Sequence, residues 1–187
     1  LKPEYINSVE MSYDKKFGEN NLVLTGFYRG TENAVFRVNT VYYEELVLIR
    51  SYTNSGKTRS IGAELNGNFF IGSFAKLFAG GSLYDYRVQG NVFGYEELNE
   101  SLNWSLKGNL SIFPWKQWQW VTDVNLQSAT VTAQGENEMF YMLNTAINYN
   151  PGKWKSWNFT LKINDILSSN IKGLDTRAFN RDGEQIF

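Results

Sequence analysis

The chain contains no cysteine and no histidine. Without cysteine there is no disulfide framework, no thiolate metal site and no cysteine nucleophile. Without histidine the commonest general base and metal ligand is missing. That excludes a serine triad within the chain and argues against an enzyme. An excess of charge is missing too: 18 Lys and Arg stand against 19 Asp and Glu, a net charge of −1. The basic stripe of a nucleic-acid binder is therefore absent. No long unbroken apolar run occurs, so no transmembrane helix is expected, and no stretch reads as a signal peptide. No cofactor and no metal site are expected.

Aromatic residues are plentiful, at 6 Trp, 11 Tyr and 13 Phe. Such residues suit strands and membrane interfaces. The most informative segment runs from Leu102 to Ile112, where Leu102, Trp104, Leu106, Gly108, Leu110 and Ile112 alternate with Asn103, Ser105, Lys107, Asn109 and Ser111. A period of two places these sets on opposite faces of a strand. The pattern recurs in about eight segments, as in the strands of a transmembrane β-barrel. Mean hydropathy of −0.39 does not argue against this, because lumen-facing residues dilute lipid-facing ones.

The predicted strands run from Ile6 to Lys15, Asn21 to Val41, Leu46 to Phe70 and Lys76 to Gln89. Four more run from Leu102 to Ile112, Gln117 to Ala133, Met139 to Tyr149 and Trp157 to Ile163. The segment 90–99 is expected as a loop. Connections near 18, 72, 115 and 151 read as tight turns, and those near 44, 93, 135 and 175 as longer ones. Outer-membrane barrels keep short turns in the periplasm and long loops outside. The first strand is accordingly expected to descend to the periplasm.

A soluble all-β binding domain, either a sandwich or a small lipocalin-like barrel, shares this alternation. None of the apolar-face positions is charged, although 20% of the chain is. The opposite faces carry Glu10, Arg29, Glu64, Lys107, Asp123 and Lys162. A buried face of either kind would exclude charge. The tryptophans discriminate further. Trp115, Trp118, Trp120, Trp154 and Trp157 lie at or just after the short turns and Tyr149 just before one, as a girdle at a lipid interface requires. Trp104 lies eight residues from Ile112 on its strand, roughly 20 Å at about 3.3 Å per residue and a tilt near 40°, which suits the opposite girdle.

Three stretches resemble the TonB-dependent receptor family, particularly outer-membrane receptors of Bacteroidetes-type bacteria. Leu1-Lys2-Pro3-Glu4 followed by Ser8-Val9-Glu10-Met11-Ser12-Tyr13 resembles the family's "LKPE…yElGy" strand opening. Asn54-Ser55-Gly56-Lys57 with Gly62-Ala63-Glu64 resembles its "NxG…GxE" pattern. Leu161-Lys162-Ile163-Asn164-Asp165-Ile166-Leu167 resembles its "vxNlfd" penultimate strand, with Ile-Leu in place of Leu-Phe. The similarity covers nearly the whole chain.

The resemblance implies an all-β antiparallel transmembrane segment, about eight strands of a 22-stranded barrel. Residues 1–187 would be the C-terminal part of that barrel, with the plug domain, the TonB box and the signal peptide outside this chain. It implies import of a scarce nutrient across the outer membrane of a Gram-negative bacterium. The partners would be membrane lipid, the protein's own N-terminal plug, the TonB complex acting through the missing N-terminal part, and an unidentified nutrient. No catalytic turnover is implied.

Tyr84, Tyr86, Phe93 and Tyr95 cluster at the extracellular end of the fourth strand and are the candidate ligand contacts, suited to stacking on a sugar or planar ligand. Strand-end packing accounts for them equally well. Glu10 and Glu64 read as inward carboxylates that solvate the lumen or meet the plug. Glu96, Glu97 and Glu100 read as a solvated acidic loop. The Asn-X-Ser/Thr matches at Asn103, Asn109 and Asn158 are chance matches in a bacterial barrel.

Overall fold

The computed structural model describes residues 1–42, 47–92, 95–152, 157–169 and 174–176. It is all-β and antiparallel. The strands are β1 (Tyr5–Phe17), β2 (Asn20–Tyr42), β3 (Val47–Ile71), β4 (Ala75–Val92), β5 (Tyr95–Trp115) and β6 (Trp118–Gln127), then β7 (Thr130–Thr132), β8 (Gly135–Asn137), β9 (Phe140–Tyr149), β10 (Phe159–Ile163) and β11 (Leu174–Thr176). Eight of them form one up-and-down sheet in the order β1-β2-β3-β4-β5-β6-β9-β10. A second, small sheet has the order β11-β8-β7; its β7–β8 hairpin is inserted between β6 and β9, and β11 follows β10.

The predicted faces survive across the whole sheet. Residues directly opposite each other on neighbouring strands share a face. Tyr13 opposes Leu24, which opposes Leu65, then Gly81, Leu106, Leu126 and Tyr141. No member of that row is charged, and Leu106 ties it to the apolar face read from the sequence. The polar row beside it runs Asp14, Val23, Asn66, Gly80, Lys107, Asn125. The apolar face is not covered by protein: Met11, Leu106 and Leu161 are exposed, as are Ile61, Leu65 and Leu83. Among the described residues the buried apolar set is only Ala34, Val38, Ala75, Val88 and Ala133. A soluble sandwich or small barrel needs an apolar core between its layers. The apolar side chains here point the other way.

The outer apolar band has a definite height. On β3 it extends from Ile61 to Ile71. Ten residues at about 3.3 Å each and a tilt near 40° give about 25 Å, the height of the lipid-facing band of outer-membrane barrels. Above Ile61 the outer face becomes charged. Arg59 pairs with Asp85 at 3.5 Å, Arg87 with Asp85 at 3.1 Å and with Glu100 at 2.9 Å, and Lys57 with Glu32 at 3.6 Å. At the same level the inner face becomes apolar, with Ala34, Val38 and Val88 buried. The inside-out pattern thus reverts to a water-soluble one at a single height.

The tight turns near 18, 72 and 115 fall where expected, at one end of the sheet, whereas the connection near 151 spans residues 150–158 and lies partly outside the described residues. Gly18 at φ 64° holds the first position of the two-residue β1–β2 turn, and Gly72 at φ 55° opens the β3–β4 turn. Both need the left-handed region that glycine enters without strain. At the other end, the first two motifs of the family resemblance meet. The Asn54 amide donates to Lys2 O at 2.7 Å and to Asn33 O at 2.9 Å, and the Val35 N–H donates to a Glu4 carboxylate oxygen at 2.6 Å. These bonds brace the register shifts in β2 around Ala34.

Three expectations need correction. The segment 90–99 is not a loop: β4 continues to Val92, β5 begins at Tyr95, and the two pair throughout. Polar composition suggested a loop, but a ribbon above the membrane is solvated on its outer side and needs no apolar face there. The sixth strand does not run to Ala133. Ser128 ends it, because its Oγ accepts the Trp104 N–H at 3.0 Å, while its own N–H donates to Trp104 O at 2.9 Å. The chain then turns inward into β7. The eighth strand begins at Phe159 rather than Trp157.

Candidate ligand-binding site

The inward turn after Ser128 creates the main concave feature of the inner face. The β7–β8 hairpin folds back over β4 and β5 and covers a cavity of about 690 Å³. That volume lies in the range of small-molecule sites. Its floor is the inner face of β1 to β4, with Phe27, Ser82, Tyr84 and Tyr86; its roof is residues 130–133 and Asn137.

A small number of polar contacts hold the hairpin down. Gln134 is 4% exposed; its side-chain oxygen accepts the Asn39 N–H at 2.8 Å, and its amide donates to Asn39 O at 3.3 Å. The Asn99 amide donates to Thr132 O at 3.0 Å. Ala133 and Val88 are buried nearby. Replacing Gln134 with Ala strands the buried Asn39 backbone groups, at a cost of about 1–3 kcal/mol. The expected result is local: amide hydrogen exchange in 130–137 rises by roughly tenfold or more, while β5 and β6 stay protected. Unchanged exchange in the hairpin would show that other contacts hold it.

Charge within the cavity is mostly self-compensated. The Arg29 guanidinium meets the Glu10 carboxylate at 3.4 Å. Glu64 accepts a hydrogen bond from the Asn66 amide at 2.6 Å, and among the described residues no cation pairs with it. Phe27 and Tyr84 face each other with ring centroids 6.0 Å apart and planes tilted by 55°. Among the described residues three buried side-chain polar atoms lack any partner: Asn39 Oδ1, the hydroxyl of Thr130, a residue of the cavity lining, and the side-chain nitrogen of Asn103, the cross-strand neighbour of Tyr84.

Of the candidate ligand contacts, Tyr84 and Tyr86 both line this cavity. Phe93 lies outside the described residues, as do the side chains of Tyr95, Glu96 and Glu97. Glu100 is committed to Arg87 on the outer face. The aromatic residues expected at the interface fall in two groups. Trp118 lies against Tyr149, centroids 4.5 Å apart, and Trp157 stacks on Phe159. The Trp120 indole donates to the Thr145 hydroxyl at 2.6 Å, and Trp115 is exposed opposite Trp118. Trp104 sits on the same outer face beside Leu83, near the other edge of the band. Trp154 lies outside the described residues.

Sequence reasoning missed Phe27, Phe36 and the whole hairpin roof. One signal was present: the apolar alternation stops at Ser128, short of the expected strand end at Ala133. Comparison with known proteins adds one finding. A family model described as "Outer membrane protein beta-barrel family" matches residues 1–186. No curated protein and no solved structure matches the chain.

Proposed function

The chain belongs to an outer membrane protein β-barrel family and is placed in the cell outer membrane, and from that premise we propose that it forms part of the wall of a TonB-dependent receptor importing a scarce nutrient. The observation that carries this reading is the pairing of an uncovered apolar band with a polar inner face that holds a ligand-sized cavity. The motif resemblance supplies the TonB-dependent step. The sheet has β1 and β10 at its edges. Lipid cannot satisfy unpaired backbone groups, so closure by further strands around a plug fits the same reading. Trp115, Trp118, Trp120, Tyr149, Trp154 and Trp157 would form the periplasmic girdle, and Trp104 the outer one.

Deleting TonB in the source organism should abolish uptake of the nutrient the receptor serves. Uptake unaffected by that deletion, or substrate turnover by the purified full-length protein, would show the assignment to be wrong. Orientation follows from loop lengths, with 134–138 outside and the turns near 18, 72, 115 and 151 in the periplasm. Single cysteines report cleanly because the chain has none of its own. In whole cells a cysteine at Asn137 should react with an impermeant maleimide and one at Gly152 should stay protected. The reverse result would invert the topology.

A further inference from the structure

We propose that the cavity beneath the β7–β8 hairpin binds a neutral polyhydroxylated ligand, a segment of an oligosaccharide. The proposal rests on the importer reading only for the ligand's onward path; binding is a property of the cavity itself.

Charge narrows the ligand first. Arg29 is occupied by Glu10, and Glu64 is uncompensated among the described residues. Among the described residues the lining therefore presents a slight negative balance and no unpaired cation. Carboxylate, phosphate or catecholate ligands would lose their water and meet a carboxylate. A neutral ligand does not incur that cost.

The lining narrows it further. The lining also carries Thr25, Thr58, Ser60 and Ser82, with the Thr25 hydroxyl paired to Ser12 at 2.9 Å and the Ser82 hydroxyl to Ser105 at 2.8 Å. Each hydroxyl both donates and accepts, which matches a ligand whose own groups are hydroxyls. Tyr84 and Phe27, tilted against each other, offer apolar ring surface for the C–H face of a sugar ring. Glu64 supplies a fixed acceptor for ligand O–H groups.

A peptide is a poorer occupant: extended peptides bind by adding to a sheet edge, whereas β2, β3 and β4, which supply most of the floor, are each already paired on both sides.

The test uses the full-length receptor in detergent, bound to an array of neutral oligosaccharides and their sulfated or uronic-acid counterparts. At least one neutral oligosaccharide should be retained, with its charged counterparts bound more weakly. Tyr84→Ala should weaken binding by about tenfold. Tyr84→Phe should retain most of it, and Lys57→Gln on the outer face should leave it unchanged. Heat-modifiable mobility on gels must match wild type, so that loss of binding is not loss of the barrel. Retention of no neutral oligosaccharide would overturn the proposal. So would preference for the charged set or for a peptide, or equal binding by Tyr84→Ala and wild type. Since binding is read without TonB, neutral-glycan binding with TonB-independent uptake would overturn the importer reading alone. TonB-dependent uptake with binding indifferent to Tyr84 would overturn the site alone.

Discussion

Leu126→Arg is expected to destabilise the barrel by roughly 2–4 kcal/mol, the cost of a cation near the bilayer midplane on the lipid face. Leu126 sits in the row Leu65, Gly81, Leu106, Leu126, Tyr141, near the middle of the apolar band. Its neighbours on that face offer no carboxylate to pair with an arginine. Asp123→Arg, three residues away on the inner face, should cost much less. Asp123 accepts a hydrogen bond from the Asn109 amide at 2.6 Å, so the loss there is about 1 kcal/mol. Urea unfolding of the full-length protein refolded into lipid measures both. Equal losses at the two sites would mean that the faces are assigned wrongly.

Gly62→Val is expected to be the most damaging single substitution on the inner face. A Cβ at Gly62 would lie 2.3 Å from Leu83 O, 2.3 Å from Tyr84 Cβ and 2.6 Å from Tyr84 Cα. Two of these atoms are backbone, so relief requires the β3–β4 ladder itself to move. Overpacking of this kind costs about 1–3 kcal/mol, sometimes more. The substitution should also displace Tyr84 from the cavity floor. Gly26→Ala is the control, because a Cβ there meets nothing within 4 Å, and it should change stability by less than about 0.5 kcal/mol. Matching losses in the same unfolding assay would remove the close approach of β3 and β4 as the cause.

The wall was legible in the sequence because one physical rule governs each of its strands: side chains alternate, and lipid tolerates no charge on one set. The row from Tyr13 through Leu65 and Leu106 to Tyr141 follows from that rule, and the pairing reproduces it. Above the band the rule changes sign. Arg59, Asp85 and Arg87 point outward while Val88 points inward, so a reading tuned to apolar-outward strands took 90–99 for a loop. The candidate site was half legible. Tyr84 and Tyr86 stood out as an aromatic pair near a strand end, but the hairpin that roofs them is held by long-range contacts. The Gln134–Asn39 bonds span 95 residues, and Ser128 ends β6 by bonding to Trp104, a partner 24 residues away. Neither contact leaves a local periodicity to find.

The most direct test of the membrane wall is a nitroxide scan of single cysteines through residues 102–112, with collision rates measured for oxygen and for a water-soluble nickel chelate. Oxygen contact should peak at Leu102, Trp104, Leu106, Leu110 and Ile112, and nickel contact at Ser105, Lys107 and Asn109, whose neighbours Asn103 and Ser111 are buried, with a period of two. Oxygen peaks on the asparagine–serine–lysine set, or no two-residue period at all, would contradict a lipid-facing apolar band.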